Sequence, residues 1–398
     1  MLFMVLISYF FLVTCCPFFL WRSFLVVARE VIRSREVTLN QKRSMAWHLC
    51  KELIYAPFFT VLWYLDEILF SRFAQQKLAR PVFIMSQPRS GTTFLLRTLS
   101  LDANTFFSLT HLEWRFPFIT LWKILDILGL RKCVEGISYW PNTELGRLAA
   151  KIHEHRLGSV EEHGIFFEER MYHHYFTFRR FPFIEVLKRV MEVQMLSARE
   201  KRKLLLTFRK TVQKTAYYRG AGRTWLTKEN ESVDLYKLLH DEFNDANFVA
   251  IVRPPEGFVS SYVTMSDICT KAKHGVDPQL IADWDKENMK FRKEECLKLI
   301  EFCGELERSN AITYLTFDQF TTEIQHTVER IYAAIGVPLS SDYARLLADM
   351  QAEQDRRDSG YVNAPRSVDG FEAFGAFVAR IGAGAGAPEH GLATQHNL

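Results

Sequence analysis

Strong net charge is missing from this sequence: 50 Lys and Arg stand against 46 Asp and Glu over 398 residues, a net of +4. That excludes a whole-molecule electrostatic role such as coating nucleic acid. Cysteine is scarce too. Of seven, Cys15 and Cys16 adjoin in an apolar run, and Cys50, Cys133, Cys269, Cys296 and Cys303 are an odd number without metal-ligand spacing. The histidine pairs His153/His155 and His173/His174 match neither HExxH nor ExxH, so no metal is expected. Internal repeats are absent, and low-complexity sequence is confined to the stretch beyond Ile381, GAGAGAPEHGLATQHNL, which is expected to be disordered. Asn230-Glu231-Ser232 is the only glycosylation sequon, too short a motif to carry weight. What is present in quantity is apolar material: 48% of residues are hydrophobic, enough for a real core in one large domain or two ordinary ones.

The charge is unevenly placed. Residues 1–80 hold ten basic and five acidic side chains, and the remainder 40 and 41. Met1–Trp21 has no ionisable side chain beyond two cysteines and Tyr9, and is long enough to cross a bilayer. It lacks the basic start, shorter apolar stretch and small-residue cleavage site of a signal peptide. The expectation is an uncleaved transmembrane anchor, with an internal core helix as the alternative. Arg22, Arg29, Arg33, Arg35, Lys42 and Arg43 follow, opposed by Glu30 and Glu36, and such a segment favours an anionic, cytoplasmic membrane surface. A second apolar stretch, Leu53–Leu65, lies between Lys51-Glu52 and Asp66-Glu67; it is too short to span and reads as a buried or interfacial helix. The expected organisation is an anchor over 1–21, a basic membrane-proximal helical segment over 22–80, a catalytic domain over 81–380 and a disordered tail over 381–398.

From about residue 80 strands alternate with helices. Pro81-Val82-Phe83-Ile84-Met85 is a short apolar run ending in Ser86-Gln87-Pro88-Arg89-Ser90-Gly91-Thr92-Thr93, after which Phe94, Leu95, Leu96 and Leu99 recur at helical spacing. Phe248–Val252 runs likewise into Arg253-Pro254-Pro255. Ile312–Phe317 precedes a helical pattern that stops at Gly336 and Pro338. Ser197 and Glu200 form a capping box at the head of another helix. This pattern predicts a three-layer α/β/α domain around a central parallel sheet, with ligands at the carboxyl ends of its strands.

The loop Ser86–Thr93 carries the chemistry. Small residues between a strand and a helix point several backbone N–H groups and the positive helix end at one spot, which suits phosphate or sulfate. Ser90, Thr92 and Thr93 add hydroxyls, and Arg89 adds a charged fork of donors. It is not a Walker A motif, because Gly91-Thr92-Thr93 stands where a P-loop has Gly-Lys-Ser/Thr.

Here the chain resembles the sulfotransferases that use 3′-phosphoadenosine 5′-phosphosulfate (PAPS), in their Pro-Arg-Ser-Gly-Thr-Thr branch. The resemblance implies a P-loop-like fold with Arg89, Ser90, Gly91, Thr92 and Thr93 on the 5′-phosphosulfate. Arg253 and Ser261, at the family's separation, would take the 3′-phosphate, although Pro254 replaces the usual Asp. Thr227-Lys228-Glu229-Asn230 is similar to the family's Leu-Lys-Ser/Asn-Pro, adding Lys228, and Gly370–Gly375 to its C-terminal Ser-Leu-Glu-x-Phe-Gly. The resemblance covers about residues 80–376 and implies PAPS as co-substrate without a metal.

Sulfuryl transfer still needs a proton acceptor. The first candidate is Glu113, in a segment that can fold back over the loop and at the distance where several related enzymes place a catalytic Glu. The second is the cluster His153, His155, Glu161, Glu162 and His163, with Glu162 or His163 the preferred members. Arg199–Lys228 holds ten basic residues, expected mostly as a solvated face, alternatively as a receiver of nucleotide phosphates, an anionic acceptor or a membrane. Aromatics at Phe106–Trp122 and Phe166–Phe183 read as core or as an apolar acceptor pocket. The functional expectation is a single-pass membrane sulfotransferase acting on a hydroxyl or amine of a lipid or glycan. The membrane-bound relatives point to the Golgi or ER lumen and the basic segment to the cytosol. An ATP-dependent kinase and an inactive scaffold of the same fold are the alternatives.

Overall fold

Val82–Met85 buries all four side chains, the pattern of a strand covered on both faces. In the computed structural model, which describes residues 2–190, 196–356 and 366–384, it is the centre strand β1 of a five-stranded sheet. Phe106–Phe107 is β2, Thr224–Glu229 β3, Asn247–Val252 β4 and Ile312–Thr316 β5. Every pairing is parallel and the order is β2-β3-β1-β4-β5. Met85 stands opposite Glu229 on one side and Ala250 on the other, so the chain leaves β1, β3 and β4 side by side. Alternate residues serve opposite faces. Phe83, Trp225, Phe248 and Ala250 enter one core with the helices Ala198–Thr215 and Pro255–His274; Val82, Leu226, Val249 and Ile251 enter a second with Leu95, Val328 and Tyr343.

The strands expected at 81–85, 248–252 and 312–317 are present to within a residue, as is the helix ending at Gly336. β2 and β3 escaped the reading. β2 is only two residues long, and β3 reads Thr-Trp-Leu-Thr-Lys-Glu, polar where a central parallel strand is ordinarily apolar. Of the tail expected to be disordered, residues up to Gly384 belong to the helix Glu372–Gly384, and 385–398 lie outside the described residues.

The transmembrane anchor is corrected. Met1–Trp21 is not one span: helix α1 (Leu2–Cys15) ends, Pro17 lies in the bend that follows, and α2 starts at Trp21 and runs to Arg33. Proline has no N–H and cannot continue the ladder. Fourteen residues make a helix of about 21 Å, short of the ~30 Å hydrocarbon core. Among the described residues no helix is long and apolar enough to cross a membrane. Val13, Cys16, Phe18 and Phe19 are buried within the protein, with the Phe18 ring edge-on to Trp63 at 5.0 Å.

The partner of α1 is α3 (Leu39–Leu69), 31 residues opened by a Thr38/Gln41 capping box, and the apolar stretch Leu53–Leu65 is its middle. The Tyr9 hydroxyl donates to the Leu53 carbonyl and the Thr60 hydroxyl to the Leu12 carbonyl, both at 2.8 Å. At its far end Asp66, fully buried, accepts from the Ile119 and Thr120 amides and meets Lys214 Nζ at 3.0 Å. Lys214 sits in the helix Ala198–Thr215, whose Ser197/Glu200 capping box is formed. Burial pushes its ammonium down to about 8, with Asp66 opposing the shift. Removing one member of a buried pair strands the other charge, so Asp66→Ala should cost roughly 3–5 kcal/mol. Asp66→Ala combined with Lys214→Met should recover part of the loss, read from urea unfolding midpoints.

Candidate active site

The chain leaves β1 at Met85 and reaches α4 (Thr92–Ser100) through a loop with two left-handed backbones, Arg89 at φ 66° and Gly91 at φ 87°. A Cβ on Gly91 would stand 2.9 Å from the Phe317 ring, so glycine is required twice over. Arg89 has no such licence and bears a cost of about 1–3 kcal/mol. It is held by its surroundings: Arg253 Nη1 donates to its carbonyl at 2.9 Å, and its own Nε donates to Ser261 Oγ at 2.9 Å. Arg89, Arg253 and Ser261, which the family resemblance implied would share one site, therefore interlock. Pro254 precedes Pro255 at the first turn of the helix Pro255–His274, where no N–H is needed, which accounts for a proline pair in place of the familiar acid. Phe371, from the C-terminal motif, packs edge-on to Phe258 of that helix.

These loops open on a cavity of about 470 Å³ at the carboxyl ends of the strands. Its wall includes Arg89, Gly91, Thr92 and Thr93 after β1, Lys228 and Asn230 at the end of β3, Arg253 after β4 and Phe317 after β5. Among the described residues Arg97, Lys151 and Arg179 bring the Lys and Arg of the wall to six, against Glu154 as the one acid. Ser90 is buried beneath the wall and Ser261 serves it through Arg89. Arg253 is lowered from its ordinary value by burial and by the neighbouring Arg89 charge, as expected where cations are crowded for an anion. A larger cavity of about 790 Å³ lies beside Ile312–Tyr314, the opening residues of β5, and is walled up to Gly384 where the description stops. It is remote from the strand ends where parallel sheets bind ligands.

Beneath the cavity lies a buried polar network. Lys228 pairs with Glu162, Arg292 with Glu231, and His173 Nε2 with Glu229 at 3.0 Å. His163 Nδ1 meets Thr227 Oγ1 at 3.0 Å, and burial lowers His163 to about 4, leaving it neutral. Asn230 Nδ2 donates to Thr92 Oγ1 at 3.2 Å, and Arg292 Nη1 to Gln87 Oε1 at 3.0 Å, which couples the end of β3 to the loop after β1. The Asn230 sequon thus points inward.

Glu113 is in neither the wall nor the network. It is the third residue of helix α5 (His111–Arg115), returning a capping bond to the Thr110 amide, and it is gripped by Arg219 at 2.8 Å and Arg131 at 3.3 Å. Burial would raise its carboxyl, but Arg219, that amide and Arg131 hold it below the usual range. The basic segment 199–228 is also divided: Lys214 and Arg219 are spent on inward carboxylates and Lys228 reaches the cavity. Phe166, Phe167 and Phe181 are core, Phe166 and Phe167 against Phe208; none of them lines the cavity.

His153 does line it. Its Nε2 lies 3.7 Å from Glu161 Oε2, and Arg97 holds the other carboxylate oxygen at 3.3 Å. His155 joins them, so that three ligand-type atoms lie within 4.8 Å, an arrangement that linear spacing did not show. Burial first, then the neighbouring imidazoles and the Arg179 and Lys273 charges, push His155 well below 6.5; burial would raise the Glu161 carboxyl, but His153, Lys228 and Arg97 hold it below its usual range. This positive field suits an anion better than a cation.

A family model described as the sulfotransferase family matches residues 81–341. Among solved structures, the sulfotransferase STF9 from Mycobacterium avium has a TM-score of 0.63 at 14% identity, over 89% of this chain and 87% of that one. The sulfotransferase STF1 from Mycobacterium tuberculosis H37Rv has 0.58 at 15% identity, over 84% and 91%. At these identities the likeness is one of fold. No curated protein matches the sequence.

Two outcomes follow from the site geometry. Gly91→Ala should destabilise the protein by about 1–2 kcal/mol through left-handed strain alone, with more from the Phe317 contact, measured by thermal unfolding. The second concerns Glu229, where burial favours the neutral acid but His173 and His163 more than offset it, holding the carboxyl well below its ordinary 4.5. His173 is raised above 6.5 because Glu229 outweighs the burial that would lower it. The carboxyl's contribution is present above 4.5 and lost as pH falls through the depressed value; the histidine's is present below 6.5 and lost as pH rises through the raised one. Glu229→Gln should therefore cost most stability between pH 4.5 and 6.5, with the gap to wild type narrowing in acid, read from denaturation midpoints across pH.

Proposed function

The chain belongs to the sulfotransferase family, and we propose that it moves a sulfuryl group from PAPS to a hydroxyl or amine of a lipid or glycan. The observation that carries this reading is the convergence of six basic side chains and a strained, small-residue loop on one cavity at the strand ends. A donor with three anionic groups needs such a field, and transfer of this kind relies on positioning and charge stabilisation more than on covalent help. The lysine missing from the loop is supplied from β3, since Lys228 enters the wall backed by Glu162.

In this reading Arg89 and the amides of Gly91, Thr92 and Thr93 face the 5′-phosphosulfate and Arg253 the 3′-phosphate, while Ser261 orients Arg89. The acceptor oxygen or nitrogen attacks sulfur as the sulfur–oxygen bond to the 5′-phosphate breaks, leaving the bisphosphate product PAP. Lys228 and Arg89 offset the charge that grows on the bridging oxygen. The acceptor's proton passes to His153 in the cavity wall, where Glu161 Oε2, 3.7 Å from its Nε2, would stabilise the imidazolium that forms. His153 is favoured over Glu113 because it lies in the cavity wall, whereas the Glu113 carboxylate is committed to Arg219, Arg131 and the Thr110 amide. Among the described residues Phe94 and Phe317 are the aromatic wall of the cavity, so the lipid or glycan class rests on the family resemblance and on the apolar N-terminal layer, which suits an amphiphile.

Incubation of the whole chain with radiolabelled PAPS and fractionated lipid and glycan extracts should place label in one fraction. Arg89→Ala and Arg253→Ala should each weaken PAP binding roughly tenfold in calorimetry. His153→Ala should lower turnover about 100-fold or more with PAP affinity unchanged. ATP bound in preference to PAP, or no transfer to either extract, would overturn the assignment; a fully active His153→Ala would move the base elsewhere.

A further inference from the structure

We propose that the protein seats on the surface of an anionic lipid bilayer through the outer face of α3 and the first turns of α1, lying in the interface without crossing it. The inference is independent of the chemistry assigned to the cavity. It starts from α3, which is apolar on its outward face as well as its inward one. Trp47, Ile54, Phe58, Val61 and Ile68 recur at intervals of seven, four, three and seven along one stripe, and all are exposed, Phe58 by 65% and Ile68 by 76%. The opposite stripe, with Met45, Leu49, Ala56, Trp63 and Asp66, is buried against the body. The helix's later acids turn inward or to the flank, Asp66 to Lys214 and Glu67 to Lys210 at 2.8 Å. A helix washed by water carries its charges outward. From Ile54 to Ile68 the outward stripe has no charged side chain, about 21 Å of helix, and Lys51, one turn before Ile54, stands half-buried at its edge.

α1 extends the same surface. Phe3, Met4, Val5, Leu6 and Ile7 are all exposed, Phe3 by 73%, and five consecutive exposed positions go more than once round a helix. The start of α1 therefore projects from the body and is apolar on every side. The bonds from Tyr9 to Leu53 and from Thr60 to Leu12 join it to α3, so both faces belong to one layer. Exposed apolar surface on this scale marks a binding face.

Charge identifies the occupant. Between Arg22 and Arg43 six basic residues oppose two acidic ones, with Arg22, Arg29, Arg33 and Arg35 exposed on α2 and the turn leading to α3, and Arg43 exposed in the first turns of α3. An apolar face beside such a segment complements a bilayer with anionic headgroups. A second copy would bring the same positive segment to a self-complementary contact, and like charges oppose it. Tyr55 and Tyr64, both exposed at the margins of the stripe, have the apolar body and polar tip that suit the headgroup level.

The test is co-sedimentation of the full chain with vesicles of phosphatidylcholine plus phosphatidylserine and of phosphatidylcholine alone. Wild type should pellet with the anionic vesicles and lose that preference in high salt. Phe58→Asp/Ile68→Asp should cut partitioning roughly tenfold or more. Unaltered circular dichroism and PAP binding would show that the variant is folded. Arg33→Glu/Arg35→Glu should retain the fold and lose the dependence on phosphatidylserine. The proposal is overturned if wild type stays in the supernatant with both vesicle types, if folded Phe58→Asp/Ile68→Asp binds as well as wild type, or if wild type is a dimer in solution that this variant dissociates.

Discussion

A hydrogen bond of 2.9 Å from the Arg253 guanidinium to the Arg89 carbonyl joins the loop after β1 to the chain leaving β4, and the geometry of the cavity depends on it. It fixes the carbonyl of a residue that would otherwise relax from φ 66°, while Ser261 fixes the same residue's side chain from the following helix. The arrangement partly buries Arg253 and crowds it against the Arg89 guanidinium, and the two together lower it from its ordinary value. Such crowding is tolerable where a multiply charged anion is to bind, because bound phosphate and sulfate groups turn repulsion into attraction. Strain and like charge stored at one spot are thus the physical form of the site.

The buried network under that spot explains why its side chains keep their places. Lys228 reaches the cavity from a strand interior and would be unstable there without Glu162; Arg292 tethers Gln87 in the loop after β1 while paired with Glu231. Buried ion pairs contribute little net stability, and their breakage is costly, so each holds its member in one position more than it strengthens the fold. The polar character of β3 that disguised it as a strand has the same cause. Its last residues are chosen for this network and not for the core.

The N-terminal layer follows a different logic. α3 is tied into the body at Asp66 and by its inward apolar stripe, while the opposite stripe is exposed, with nothing among the described residues to cover it. The composition that reads as a membrane anchor is therefore real, but its apolar side chains are divided between the protein core and an exterior face. Pro17 and the burial of Phe18 and Phe19 make the division.

Contiguous residues determined much by themselves. The strand, loop and helix around Arg89, the capping box at Ser197, the stop at Gly336 and the parallel α/β class all rest on local backbone preference, and local preference is written in neighbouring side chains. The pairing of Arg253 and Ser261 with the loop was implied by the resemblance to the family's second signature. Tertiary structure alone decided the rest. Glu113 is held in ion pairs away from the cavity wall because Arg131 and Arg219, distant in the chain, close on it; His153 entered the cavity wall with Glu161 behind it, although neither spacing nor type distinguishes it from His155. Lys228 reached the same cavity from β3, and Met1–Trp21 broke instead of spanning. In each case the deciding partner is far away in sequence, and only the strand order, with β1 between β3 and β4, brings the groups within a few ångströms.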